Sequence, residues 1–126
     1  MESKLRKFVV EVLRRASFKW KPKSAAKQAA REQVGAHSTG RAKYEYRCRH
    51  CGDLFKSKDV QVDHIDPVVP LDGFESGLEF DLNEYVLRLY CEKDGFQVLC
   101  KPCHSKKSKK ENVIRRKNKV LKEDEY

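Results

Sequence analysis

Phe96-Gln97-Val98-Leu99-Cys100-Lys101-Pro102-Cys103-His104 carries the strongest structural signal in this chain. Phe96 to Leu99 is a short, mostly apolar run of strand length. It leads into Cys100 and Cys103, two thiols with two residues between them. A second pair, Cys48-Arg49-His50-Cys51, stands upstream. Such a segment folds as a tight knuckle, so both sulfurs can reach one ion. Two knuckles complete a tetrahedral four-thiolate site, which closes the coordination sphere and suits structural zinc. Four unrelated core cysteines are the plainer reading, and the pairing argues against it. A redox dithiol is disfavoured because neither pair sits in an obvious strand–helix context. The fifth cysteine, Cys91, reads as core or surface. His50, inside the first knuckle, reads as a solvated side chain, a swapped zinc ligand being the alternative.

The pairs are separated by 48 residues, more than a compact zinc ribbon holds, so the ion clips the ends of an inserted unit. Tyr44 to Cys48 enters the first knuckle as a short strand. Val60 to Ile65 alternates as a second strand, ended by Pro67 and Pro70. Pro67 to Phe80 is a loop. Asp81, with Glu84 three residues on, marks a helix start. Leu82, Tyr85, Val86, Leu89 and Tyr90 then form the apolar stripe of a helix over 82–93, closed near Gly95. After the second knuckle the chain reads as helical from about His104 to about Lys122, with Val113, Ile114, Val120 and Leu121 packing inward. Near the start, Leu5, Phe8, Val9, Val12 and Leu13 recur at helical spacing. Ala16-Ser17 begins a break that Lys21-Pro22 extends. Ser24 then caps an Ala-rich helix to about Val34, and Gly35 to Lys43 is a loop. There is no internal repeat.

With 126 residues, 37% charged and 39% hydrophobic, the chain makes one small domain whose modest core gains from a metal staple. No stretch is apolar enough to span a membrane, and the charged N-terminus is neither signal peptide nor anchor. The net charge of +9 is unevenly spread. Residues 1–47 hold 13 Lys/Arg against 4 Asp/Glu, residues 48–99 hold 5 against 11, and residues 100–126 hold 10 against 4. Basic arms around an acidic middle suit a polyanion bound through its phosphates. Candidate backbone contacts are Lys19, Lys21, Lys23, Lys27, Lys106, Lys107, Lys109, Lys110, Arg115 and Arg116. Individually each reads as a solvated charge; only the aggregate argues.

Asp63 and His64 end the second strand, and His104 directly follows the last zinc cysteine. A carboxylate and an imidazole can hold one divalent cation with positions left open, and the second imidazole can act as general base on a water. One geometric objection stands: neighbours on a regular strand face opposite ways, so the strand must bend or end there.

Cys48-x2-Cys51, then Val62-Asp63-His64-Ile65-Asp66-Pro67, then Gln97 to His104 with Lys107 beyond, resembles an HNH endonuclease. More narrowly, it is similar to small free-standing HNH proteins of tailed bacteriophages, whose N-terminal extension Arg14 to Trp20 also resembles. The resemblance covers roughly residues 44–112. It implies an α+β fold: a ββα-metal (HNH) finger with structural zinc, plus N-terminal helices, an inserted helix and a basic C-terminal helix. The corresponding division is 1–43, a basic helical extension, and 44–126, the nuclease domain. The resemblance implies His64 as general base, Asp63 and His104 as ligands of a catalytic Mg²⁺ or other divalent cation, and Lys107 near the scissile phosphate. Cys48, Cys51, Cys100 and Cys103 would hold Zn²⁺. The family's central Asn, five residues before the third zinc Cys, is here Gly95. Asp94, a backbone group of the Asp94-Gly95 turn, or bracing by the 82–93 helix would have to replace it; weakened catalysis is the remaining alternative.

The expected activity is metal-dependent hydrolysis of phosphodiester bonds in DNA, with RNA left open. A single such site on a monomer nicks, and a double-strand break needs a weak dimer or two visits. The resemblance implies a cytoplasmic protein, in the host cell if phage-encoded. Two other classes compete: a zinc-stabilised nucleic-acid-binding module that does not cut, and a nuclease active only in complex with a phage packaging partner.

Overall fold

The computed structural model describes residues 2–124, with side chains through Val120. The chain is α+β, built of four helices and two small antiparallel sheets among the described residues. In order these are α1 (Ser3–Ser17), α2 (Lys21–Ala29), β1 (Arg31–Ala36), β2 (Ala42–Arg47), β3 (Leu54–Phe55), β4 (Val60–His64), α3 (Leu82–Leu89), β5 (Phe96–Cys100) and α4 (Lys101–Asp124). One sheet runs β1-β2-β3 and the other pairs β4 with β5. No helix is long and apolar enough to cross a membrane.

The β4–β5 pair sets the site. Its register puts Asp63 opposite Gln97 and His64 opposite Phe96. β5 passes at Cys100 straight into α4, and α4 packs back along both strands. One buried cluster joins Cys48, Leu99, Cys100 and Cys103, with Phe55 against it. A second joins Phe74, Tyr85 and Leu89, with Val10, Leu13, Val68, Phe80 and Tyr90 around it. Tyr85 and Leu89 lie one turn apart on α3, so one face supplies both. Burying each contributes on the order of 2 kcal/mol. Asp81 caps that helix as expected: its carboxylate accepts from the Glu84 backbone N–H at 3.1 Å.

Several sequence expectations need correction. α1 does not bury Leu5, Phe8 and Val12, which are 50%, 62% and 42% exposed. It is turned so that Val10 and Leu13 meet the core and Ser17 is buried. The helix is pinned from outside itself: the Tyr90 hydroxyl donates to the Leu13 carbonyl at 2.7 Å. Ser24 lies inside α2 and does not cap it; Trp20 is the cap, and Pro22 sits in the first turn, where its missing N–H costs nothing. α2 stops at Ala29, and 31–36 is a strand paired with β2, so neither the helix to Val34 nor the 35–43 loop holds in full, and the first 43 residues are not all helical. The pairing is reinforced by a two-pronged Glu32–Arg47 ion pair. The 82–93 helix ends at Leu89, and a short 3-10 turn at Lys93–Gly95 replaces its last part. On α4, Val113 and Val120 are exposed; the Leu121 side chain lies outside the described residues.

Candidate metal centre and adjoining cleft

Cys48, Cys51, Cys100 and Cys103 converge, with one sulfur from each within 4.8 Å of the others. Zinc–sulfur bonds of about 2.3 Å in a tetrahedron put sulfurs about 3.8 Å apart. Cys51 Sγ and Cys100 Sγ stand 3.9 Å apart, so this donor set fits zinc. The first knuckle is shaped by Gly52, whose φ of 78° closes the turn in a conformation other residues resist. Its backbone is fastened by Cys48 N–H to Asp53 O and by Arg49 N–H to Val98 O, both 2.9 Å. Burial would raise the Cys48 thiol's pKa, yet backbone groups of Cys100, Cys51 and His50 bring it down to about 6. Cys103, hydrogen-bonded to Cys100 and then buried, is pushed up to about 12. The second pair does straddle a strand–helix junction, contrary to the sequence reading. A redox dithiol is still disfavoured, because all four sulfurs meet. Cys91 is half-buried outside this cluster, and His50 is exposed.

The strand–helix junction carries a second consequence. His104 and Lys107, three residues apart on α4, share the face that meets Asp63. His104 Nε2 lies 3.6 Å from Asp63 Oδ1, and Lys107 Nζ lies 2.9 Å from Asp63 Oδ2. Gln97 Nε2 donates to the same Oδ2 at 3.4 Å. Lys107 also donates to the His64 carbonyl at 3.2 Å and to Glu111. Burial would lower its pKa; Glu111 and Asp63 more than offset this and hold it above the usual lysine range. Glu111 is a site carboxylate that sequence reading missed. Its position four residues past Lys107 was the available signal.

His64 turns elsewhere. Its Nε2 lies 2.9 Å from the Leu89 carbonyl, at the end of α3, and its ring tilts against Phe96 with centroids 4.8 Å apart. A carbonyl can only accept, so Nε2 carries the hydrogen. In the neutral ring the lone pair is then on Nδ1. Ile65 N–H donates to Gly95 O at 2.9 Å. Both the α3 end and a backbone group of the Gly95 turn thus hold this segment, and both were among the substitutes the sequence offered for the family's Asn. Gly95 packs so closely on Cys91 that an added Cβ would lie 2.6 Å from its Sγ. Asp63 and His64 do face different partners, as strand geometry requires, but β4 ends at His64 and both line one cleft of about 780 Å³.

That cleft is lined by Arg6, Lys7, Arg14 and Arg15 of α1, Lys23 of α2, and Lys107 and Arg115 of α4. Among the described residues, Asp63 and Glu111 are its only carboxylates. Of the ten cations singled out in the sequence, Lys23, Lys107 and Arg115 line it. Lys19, Lys21, Lys27, Lys106, Lys109, Lys110 and Arg116 do not. Lys27 instead donates to Ser57 Oγ at 2.7 Å. The α1 cations were missed because the helix was given the wrong inward face. Comparison with known proteins finds no matching family model, no matching curated protein and no matching solved structure.

Proposed function

We propose that this chain is a metal-dependent nuclease of the HNH kind, cutting phosphodiester bonds, with DNA as the expected substrate. The observation that carries this reading is the meeting of Asp63 with His104 and Lys107, where Asp63, His64 and Lys107 line a basic cleft. The antiparallel β4–β5 pair running on into α4 supports this reading, since a ββα-metal finger needs two strands followed by a helix. An Asp63 carboxylate and a His104 imidazole 3.6 Å apart fit a divalent cation completed by water and phosphate, once Lys107 leaves Asp63. Such a cation, Mg²⁺ or Mn²⁺ by its donor set, would polarise the phosphate and stabilise the leaving oxygen.

The chain's own groups do the rest. The cleft cations hold the backbone and position the scissile phosphate. His64 Nδ1 faces the task of taking a proton from the attacking water, while the Leu89 carbonyl fixes the ring and its tautomer. Lys107, moved off Asp63, would balance charge on the phosphate.

The test is cleavage of a supercoiled plasmid with added Mg²⁺ or Mn²⁺, by wild type beside His64→Ala. The expected result is nicking by wild type and a loss of at least about a hundredfold in the variant, with zinc content unchanged. Equal cutting by both would remove His64 from the base role. The non-cutting binding module remains the second reading, favoured by the Lys107 ammonium resting on Asp63. Binding without cleavage in either metal would select it. A packaging partner would show as cleavage that appears only when that protein is added.

A further inference from the structure

We propose that Phe18 is a base-stacking platform in the cleft, and that the bound strand presents an unpaired nucleotide to it. This rests on the nucleic-acid reading above and narrows its substrate to single-stranded or locally opened nucleic acid. Phe18 lines the same cleft as Asp63 and His64 and is 72% exposed. Its exposure is not fraying. Ser17 beside it is buried, and Trp20 two residues on donates to the Cys91 carbonyl at 2.7 Å and packs edge-on against Tyr90. The backbone is therefore fixed at both sides of a ring that faces outward.

The ring's surroundings point to a ligand with both a π-face and negative charge. Lys23 Nζ stands 4.5 Å from the Phe18 centroid. The same ammonium, half-buried, feels the Asp63 carboxylate. Lys23 thus lines one cleft together with Phe18 and Asp63, and Arg14 and Arg15 lie on the adjoining turn of α1. An aromatic ring beside backbone-binding cations is how proteins hold a single strand: the base stacks and the phosphates pair. Bases in an intact duplex are already stacked on each other and cannot use the ring. A scattered exposed Phe needs no explanation, but this one is rigid, paired with a cation and set in the cleft.

Binding is measured by fluorescence anisotropy in the His64→Ala background, where strands survive. The probes are one labelled DNA sequence as a single strand, as a full duplex and as a duplex with a short gap. Phe18→Ala should weaken the single strand and gapped duplex about tenfold, and the full duplex by less than about twofold. Phe18→Trp should restore the loss. Joint replacement of Arg14 and Arg15 by Ala should weaken all three probes. Phe18→Ala leaving the single strand unchanged, or weakening every probe alike, overturns the proposal and leaves a polyanion surface without base stacking. The two readings fail separately. Duplex cutting by wild type with no effect of Phe18 sinks stacking and spares the nuclease. Phe18-dependent strand preference without cleavage in Mg²⁺ or Mn²⁺ sinks the nuclease and spares stacking. An unchanged melting temperature for Phe18→Ala, expected from its exposure, keeps these outcomes readable.

Discussion

At Gly95 a side chain has nowhere to go: a Cβ would lie 2.6 Å from Cys91 Sγ and 3.0 Å from Cys91 Cβ. The neighbouring carbonyl of Gly95 meanwhile accepts the Ile65 N–H, so crowding here reaches the residue after His64. Gly95→Ala should lower unfolding free energy by about 1–3 kcal/mol in urea melts, as overpacking does. The same substitution on Cys91→Ala should cost clearly less, because the closest atom is gone. An equal cost in both backgrounds would remove the contact as the cause. Gly95→Asn, which restores the residue type the family pattern expects, should destabilise further and not improve cutting. Cys91 takes the space at this position, and the carbonyls of Gly95 and Leu89 hold Ile65 and His64.

Among the elements, α3 offers the cleanest measurement. The Asp81 carboxyl is held below the usual carboxylate range, chiefly by the Glu84 backbone N–H and then by Ser76. A depressed carboxylate stabilises the fold fully above its unfolded pKa and loses that contribution as pH falls through its folded value. Asp81→Ala should therefore lower the melting temperature at neutral pH, and the gap to wild type should close as the solution is acidified below that folded value. A gap that persists there would mean the cap acts through something other than its charge. α3 was legible because its cap and stripe agree, although the helix stops at Leu89, short of the expected end; β5 was legible because it is an apolar, almost wholly buried run, and β4 because it alternates up to the prolines beyond it. β1, the other half of the hairpin whose β2 strand was partly read at Tyr44 to Cys48, was not. All six residues of β1 are exposed, so no alternation marks it, and its Ala-rich approach reads as helix. The inward face of α1 was misread for a related reason: Tyr90 and the Phe74–Tyr85–Leu89 cluster that receives Val10 and Leu13 fix its rotation, and both lie in partners, not in the periodicity of α1 itself. The zinc cysteines were legible because knuckle spacing is a local property. The meeting of Asp63 with His104 needed a strand register and a helix start that only the folded chain supplies.

Across the whole molecule, the four-cysteine cluster ties residues 48–51 to the junction of β5 and α4. A zinc ion held there would contribute folding energy, on the order of 10 kcal/mol in small zinc domains. Chelation, or Cys100→Ser, should drop the melting temperature steeply or abolish the cooperative transition. The emission of Trp20, the sole tryptophan, reports it from the far side, where it packs on Tyr90. Loss of zinc with an unchanged melt would make the clip dispensable. α4 links this clip to everything else: Cys103, His104, Lys107, Glu111, Arg115 and Asn118 lie along one continuous helix. Arg115 donates to Val69 O at 2.9 Å and Asn118 to Leu71 O at 2.7 Å, so its far part is anchored as well. A helix advances about 100° per residue. One residue added or removed between His104 and Arg115 would swing each later side chain through that angle while leaving composition almost untouched. In α4 the reading frame of the helix, more than the identity of its many lysines, is what natural variation has to preserve.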